Sequence, residues 1–224
     1  MTDVVIVSGA RTAVGRFGGA FKEVQASDLG ATAIKAAVER SGIDPSDVDE
    51  VILGNVLQAA ETGYAARRAM IKAGLPDTVP AMTVNRACSS GLEAINFAVM
   101  AIMTGQAEVI VAGGTESMST APYLARGIRF DGPRMGDFEM TDSVTMGLAC
   151  PIYDYHMGVT AENVAERYEV SRDAQDELAV SSHARAITAQ ENGYFDEQIV
   201  PFEVPRRRGD PVTVATDEHP RPGT

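Results

Sequence analysis

Cysteine and histidine are scarce: Cys88, Cys150 and three histidines are the whole complement in 224 residues. Two cysteines make no disulfide framework, which suits the reducing cytoplasm. Five such residues scattered without ligand spacing give no reason to expect a bound metal. The first residues show no basic stretch followed by the apolar core of a signal segment, so a cytoplasmic protein is expected. No apolar run approaches the roughly 18–20 residues that span a bilayer. Positive charge is also in short supply: 19 Lys and Arg against 31 Asp and Glu leave a net charge of −12. That balance argues against nucleic acid or an acidic membrane as a general partner, and an anionic ligand would need a local arginine cluster. There is no internal repeat. The glycines of Gly15-Arg16-Phe17-Gly18-Gly19 match neither the P-loop nor the dinucleotide fingerprint, and loop geometry accounts for them.

Apolar residues are plentiful, at 45%, enough for a substantial core at this length. Val4-Val5-Ile6-Val7, Val51-Ile52-Leu53-Gly54, the β-rich run from Val79 to Asn85, and Glu108 to Gly114 read as short buried strands. Between them lie helical patterns. Ser27 to Arg40 has Ser27 as a candidate cap and Gly42 as a stop, Tyr64 to Ala73 closes at Gly74, and Leu92 to Met103 closes at Gly105. Arg67 and Arg68, adjacent on a helix, point in different directions, so one could face a partner or ligand; a surface pair is the plainer reading. This alternation predicts an α/β fold whose sheet is largely parallel and covered by helices on both faces. Ligands of such folds bind beyond the carboxyl ends of the strands.

Beyond Thr115 the texture changes to Ser, Pro and Gly with little periodicity, and five methionines (Met118, Met135, Met140, Met146, Met157) fall between Thr115 and Gly158. The expected organisation is a core over residues 1–118 and an inserted loop domain over 119–224. Long loops of this kind are usually functional, and methionine suits adaptable contacts. Helices return at Thr160 to Tyr168 and at Ser171 to Asn192, with Ser171 a good cap; His183 sits there as an exposed helix residue. Ile199 to Val204 and Val212 to Val214 form a strand pair around the arginines 206–208.

The candidate chemistry lies at Val84-Asn85-Arg86-Ala87-Cys88-Ser89-Ser90-Gly91-Leu92, where a strand turns directly into an apolar helix. A thiol at a helix N-terminus faces unpaired amides and the positive end of the dipole, which favour thiolate over thiol. Small neighbours leave room for a substrate. Leu92, Ile95, Val99, Ile102 and Met103 recur at spacings of three and four, so the helix is expected to be buried. Free cysteine is also a common small core residue, and spacing alone leaves both readings of Cys88 open.

NRACSSG resembles the nucleophile motif of the thiolases. SGARTAVGRFGG, AGGTESMS, YHMGVTAENVAERY, VSRDAQDELAVSSHARA and DEHPRPGT resemble thiolase segments in the same order, over nearly the whole chain. The resemblance implies a thiolase-like layered α/β fold and acyl transfer between coenzyme A thioesters through an acyl-cysteine at Cys88. The reaction would be condensation of two acetyl-CoA or cleavage of a 3-ketoacyl-CoA. Coenzyme A thioesters are then substrates and no separate cofactor is implied. His156, Met157 and Leu148 match residues of the pantetheine pocket, and Arg221 matches an arginine at the nucleotide end of coenzyme A. Each also has a plain structural reading, as a satisfied histidine, core residues and a solvated tail residue.

Family members carry a second half supplying an activating histidine, an asparagine and a second cysteine, and none of these motifs is present here. Cys150, in Gly147-Leu148-Ala149-Cys150-Pro151, does not match that second cysteine. The resemblance therefore implies a complementary C-terminal half, as missing sequence or as another chain, and a homo-oligomer, dimer or tetramer, with Arg126 to Met140 a candidate contact. A non-catalytic acyl-CoA-binding or assembly subunit is the alternative. A decarboxylating condensing enzyme of the ketoacyl synthase type fits NRACSSG and YHMG less well.

Overall fold

A computed structural model describes residues 3–223. The chain forms two compact units, residues 1–120 with 195–219, and residues 121–194 with 220–224. The sequence pattern placed a boundary at 118/119 and assigned everything after it to a loop domain; the structure instead returns residues 195–219 to the first unit.

The first unit is built on three parallel strands, β1 (Glu50–Gly54), β2 (Ala81–Val84) and β3 (Ile110–Gly114), in the order β2-β1-β3. Val51 pairs with Ala81 on one side and Val111 on the other. Helices α1 (Ala26–Ser41) and α2 (Ala65–Ala73) cover one face, with Ile34, Val38, Ala66, Ala69 and Met70 packed on Val51 and Leu53. Helix α3 (Ser90–Met103) covers the other, where Ala94 meets Ile52 and Val84. Side chains of one strand alternate between faces, so β1 feeds both layers and is buried from Val51 to Gly54.

A second cluster joins Ala13, Phe21, Val24 and Leu29 to Ile199 and Val214. It seats the hairpin of β6 (Phe202–Val204) and β7 (Val212–Val214). Phe21 and Phe202 meet edge to face at 5.6 Å. Arg11 Nη1 and Nη2 donate to the two oxygens of Asp217 at 2.8 and 3.0 Å, and the Val14 amide donates to Oδ1 at 2.7 Å. Burial raises the Asp217 carboxyl pKa, but these bonds from Arg11 and Val14 outweigh it and hold it below its ordinary value. A carboxyl depressed in the folded state adds stability that is present above its unfolded pKa and is lost as pH falls through the folded value. Asp217→Asn is therefore expected to lower urea-unfolding stability by about 2 kcal/mol at pH 7. That difference should shrink as the pH drops below the carboxylate range, and a pH-independent difference would contradict the assignment.

Several expectations are corrected. Val4 to Val7 pairs with no strand among the described residues; Val5 and Ile6 are 72% and 84% exposed. A β-branched run becomes a strand only where a neighbouring backbone offers partners. Here the run lines an open apolar groove of about 390 Å³ together with β3, α1 and α3. Ser27 is not the cap of α1, whose N-cap is Gln25. It is the second residue of the helix and buried, its amide donating to Glu61 Oε1 at 2.9 Å and its hydroxyl accepting from Lys72 at 2.8 Å. Arg67 and Arg68 are not a plain surface pair. Arg67 donates to the carbonyls of Val79 and Asp77, and Arg68 lies 3.0 Å from the buried Glu61 carboxylate.

Helix α3 is not buried all round. Its small residues Ala94 and Ala98 face the sheet, whereas Leu92 is 62%, Met100 49% and Met103 46% exposed. Small residues let the helix axis lie close to the strands, and helical periodicity then turns the large side chains outward.

In the second unit, β4 (Tyr123–Leu124) pairs with β5 (Thr141–Asp142), with the short helix α4 (Ile128–Asp131) between them. Helices α5 (Ser143–Gly147), α6 (Met157–Arg167) and α7 (Arg172–Glu191) follow. Ser171 caps α7 by accepting from the Ala174 amide, as expected. Among the described residues no helix is long and apolar enough to cross a membrane.

Candidate active site

Strand β2 ends at Val84 and α3 begins at Ser90, and the five residues between them form a tight, internally bonded turn. Asn85 Oδ1 accepts from the Ala87 amide at 3.0 Å. Ser90, 4% exposed, accepts from the Arg86 amide at 2.8 Å and donates to the Ala87 carbonyl at 2.6 Å. The Ser89 hydroxyl donates to the Arg86 carbonyl at 2.9 Å. Ala87 is held at φ +50°, a left-handed conformation that L-residues other than Gly, Asn and Asp seldom adopt. Together these restraints lift the next residue, Cys88, out of the core, and its thiol is free and exposed. The turn's own bonds are donated by the amides of Arg86, Ala87, Ser89 and Ser90; that of Cys88 is not among them.

The turn sits on the carboxyl ends of the strands because glycine allows it. A Cβ on Gly54, the last residue of β1, would lie within 2.7 Å of the Ser90 carbonyl oxygen and 2.5 Å of the Gly91 nitrogen. Cys88 is thus set just before the start of α3, where the sheet ends. Arg86 pairs with Glu93 in the first turn of α3 at 2.6 Å. Hydrogen bonds from Arg86 and Asn96 hold the Glu93 carboxyl below its ordinary pKa. An exposed thiol beside helix-start amides can attack an electrophilic carbonyl and leave the resulting oxyanion facing N–H donors.

Three of the other four candidate residues come together in the second unit. The Met157 amide donates to the Leu148 carbonyl at 2.9 Å, and Ala149 bridges antiparallel to His156. The intervening turn is closed by Cys150 N–H to Tyr155 at 2.8 Å. His156 is the N-cap of α6, its Nδ1 accepting from the Gly158 amide at 3.0 Å. In the neutral ring this places the proton on Nε2, on the exposed side chain. Leu148 is half-buried and Met157 39% exposed, so neither is a plain core residue. Arg221 is exposed, and its amide donates to His183 Nδ1 at 3.2 Å. His183 is accordingly a half-buried acceptor on α7, not simply an exposed helix residue. Cys88 belongs to the first unit and these residues to the second.

Sequence pattern alone does not single out two residues beside the turn, although Glu116 lies within AGGTESMS and both follow an apolar strand. Asn55, 2% exposed, comes directly after β1, and Glu116 comes just after β3; the two are bonded to each other at 2.9 Å.

A parallel α/β sheet flanked by helices, with an exposed thiol presented at a strand-to-helix turn, defines a layered α/β protein. The chain belongs to the thiolase family: the family described as "Thiolase, N-terminal domain" matches residues 4–224. It is 55% identical over its full length to an acetyl-CoA acetyltransferase of Cupriavidus necator, of which it covers 57%. It is 50% identical over 219 residues to a probable acetyl-CoA acyltransferase of Staphylococcus aureus, matching 97% of this chain and 56% of that protein. The crystal structure of the Bacillus anthracis acetyl-CoA acetyltransferase superposes with a TM-score of 0.95 at 46% identity, covering all of this chain and 56% of that one. The chain thus spans about half the length of the relatives it matches.

Proposed function

We propose that this chain is the nucleophile-bearing half of a thiolase-type acyltransferase acting on coenzyme A thioesters. The observation that carries the reading is the exposed Cys88 thiol on a strained, hydrogen-bonded turn at the start of α3. In the loading step the Cys88 thiolate attacks the thioester carbonyl of acetyl-CoA. The tetrahedral oxyanion faces the helix-start amides, the carbon–sulfur bond to coenzyme A breaks, and coenzyme A leaves as its thiolate. The acetyl-cysteine then passes its acyl group to a second acetyl-CoA, giving acetoacetyl-CoA, or the sequence runs in reverse as cleavage of a 3-ketoacyl-CoA. Proton abstraction from the second acetyl-CoA needs a base, and that step is the chemistry proposed for a complementary half. Leu148, His156 and Met157 are proposed to line the pantetheine arm, and Arg221 to meet the nucleotide end. Phe130 and Met135, 89% and 94% exposed, support the proposal that 126–140 contacts a second subunit of a homo-oligomer.

The test is intact-protein mass after incubation with acetyl-CoA, beside Cys88→Ala and a chase with free coenzyme A. The expected result is a single acetyl adduct that needs Cys88 and that the chase removes. A folded chain without an adduct, alone and with a candidate second half added, would overturn the reading in favour of a binding or assembly subunit.

A further inference from the structure

Past the end of β3, Thr115 still follows the sheet, its amide donating to the Gly54 carbonyl at 3.0 Å. The next residue, Glu116, turns a half-buried carboxylate across the strand ends. Oε1 accepts from Asn55 Nδ2 at 2.9 Å, and Oε2 accepts from the amides of Val56 at 2.8 Å and Leu57 at 3.3 Å. Asn55 is itself fixed, its second Nδ2 hydrogen reaching the Thr115 carbonyl at 3.0 Å and its amide the Val84 carbonyl at 3.0 Å. One carboxylate therefore organises the whole loop after β1, through charge-assisted bonds of the stronger kind.

That loop touches the nucleophile turn at one polar point. The Val56 carbonyl accepts from Asn85 Nδ2 at 3.3 Å, and the other end of the same amide group, Oδ1, accepts from the Ala87 amide. Asn85 thus has both ends of its amide committed, one to the loop that Glu116 holds and one to the residue with positive φ that presents Cys88. A residue kept in the left-handed region persists only where its surroundings over-determine it. The connection runs through contiguous hydrogen bonds from Glu116 to Val56, to Asn85, to Ala87.

We propose that Glu116 is a positioning residue for the Cys88 nucleophile, acting through Val56 and Asn85 on Ala87. This rests on the reading that Cys88 accepts the acyl group. It adds that the rate of acylation is set by a carboxylate that touches neither the thiol nor the substrate.

The test is a double-mutant cycle in the full chain with Glu116→Gln, Asn85→Ala and the pair. Glutamine keeps the shape of Glu116 but turns an NH2 group toward N–H donors. The rate of Cys88 acetylation at saturating acetyl-CoA, the half-saturating concentration and amide hydrogen exchange of residues 85–90 and of β1 are measured together. Each single variant is expected to slow acetylation at least tenfold with half-saturation unchanged within about twofold. Exchange should accelerate in 85–90 but not in β1. The double variant should be no slower than the slower single, because both act through one connection. A native rate in Glu116→Gln, or effects that multiply in the double variant, overturns the proposal. Should Glu116→Gln fail to fold, Asn85→Ala, at an exposed position, must still show the rate loss. Should the native chain not be acetylated either alone or with a candidate second half added, the functional reading fails, and the exchange measurement decides the positioning role: unchanged exchange at 85–90 in Glu116→Gln overturns it.

Discussion

Gly54→Ala is expected to destabilise the chain by about 3 kcal/mol, at the upper end of what overpacking a core does. The added methyl would meet the backbone of Ser90 and Gly91, and no rotamer change can move a backbone aside. Gly114, at the end of the neighbouring strand, would likewise bring a Cβ to 3.3 Å from the Gly91 Cα, so the first turn of α3 rests on two glycine strand ends. Relief requires α3 to shift away from the sheet, which loosens Ala94 from Ile52 and displaces Cys88 with the helix start. The same substitution should therefore slow Cys88 acetylation. Gly9→Ala is the control, since a Cβ there meets nothing within 4 Å; its effect should stay within about 0.5 kcal/mol. Urea unfolding and acetylation rate check both statements. A Gly54→Ala chain of native stability would show that α3 does not sit as close as described.

The second large effect concerns association. Leu92, Met100 and Met103 stand 46–62% exposed on the side of α3 turned away from Ala94 and Ala98, and Ile95, Val5, Ile6 and Val7 are exposed in the lining of the open groove. So many large apolar side chains exposed on one helix and along an open groove are unusual on a monomer and drive contact with other chains. The isolated chain is expected to self-associate at micromolar concentrations. Introducing charge by Leu92→Lys with Met103→Glu should weaken that association about 100-fold, since each large apolar side chain withdrawn from water contributes about 1.5–3 kcal/mol. Sedimentation velocity over a concentration series reads it. A native chain that sediments as a monomer throughout would contradict the expectation, as would a charged variant that associates as strongly.

Much of the fold was legible because burial and backbone preference are written locally. The apolar run at Val51 to Gly54 reads as a strand buried on both sides, and it is one. Gly42 and Gly74 mark the ends of α1 and α2 because left-handed caps favour glycine, and both adopt positive φ. The Val84 to Leu92 stretch reads as a strand turning into a helix with Cys88 between, and the turn is there.

What failed did so for physical reasons that local pattern does not contain. Val4 to Val7 has the composition of a strand, but a strand is a relation between two backbones, and these residues have no partner among those described. The apolar spacing of α3 shows which residues share a face but not whether anything covers that face. In a chain spanning about half the length of its relatives, the large face stays open while alanines meet the sheet. Asp217 and Glu218 lie in a stretch, DEHPRPGT, with no regular apolar pattern. They hold the 11–20 loop through bonds to Arg11, Val14, Arg16 and Ala20, some two hundred residues away in sequence.

The sequence by itself determined the strands β1 to β3, the helices between them, the position of the thiol and the family, because each rests on residues close together along the chain. Only the tertiary structure decided that Glu116 and Asn55 meet, that Asn85 links their loop to Ala87, and that Gly54 admits the start of α3. Those contacts join segments about 30 to 60 residues apart, and a hydrogen bond or a steric fit between them exists only once the sheet has brought the strand ends side by side.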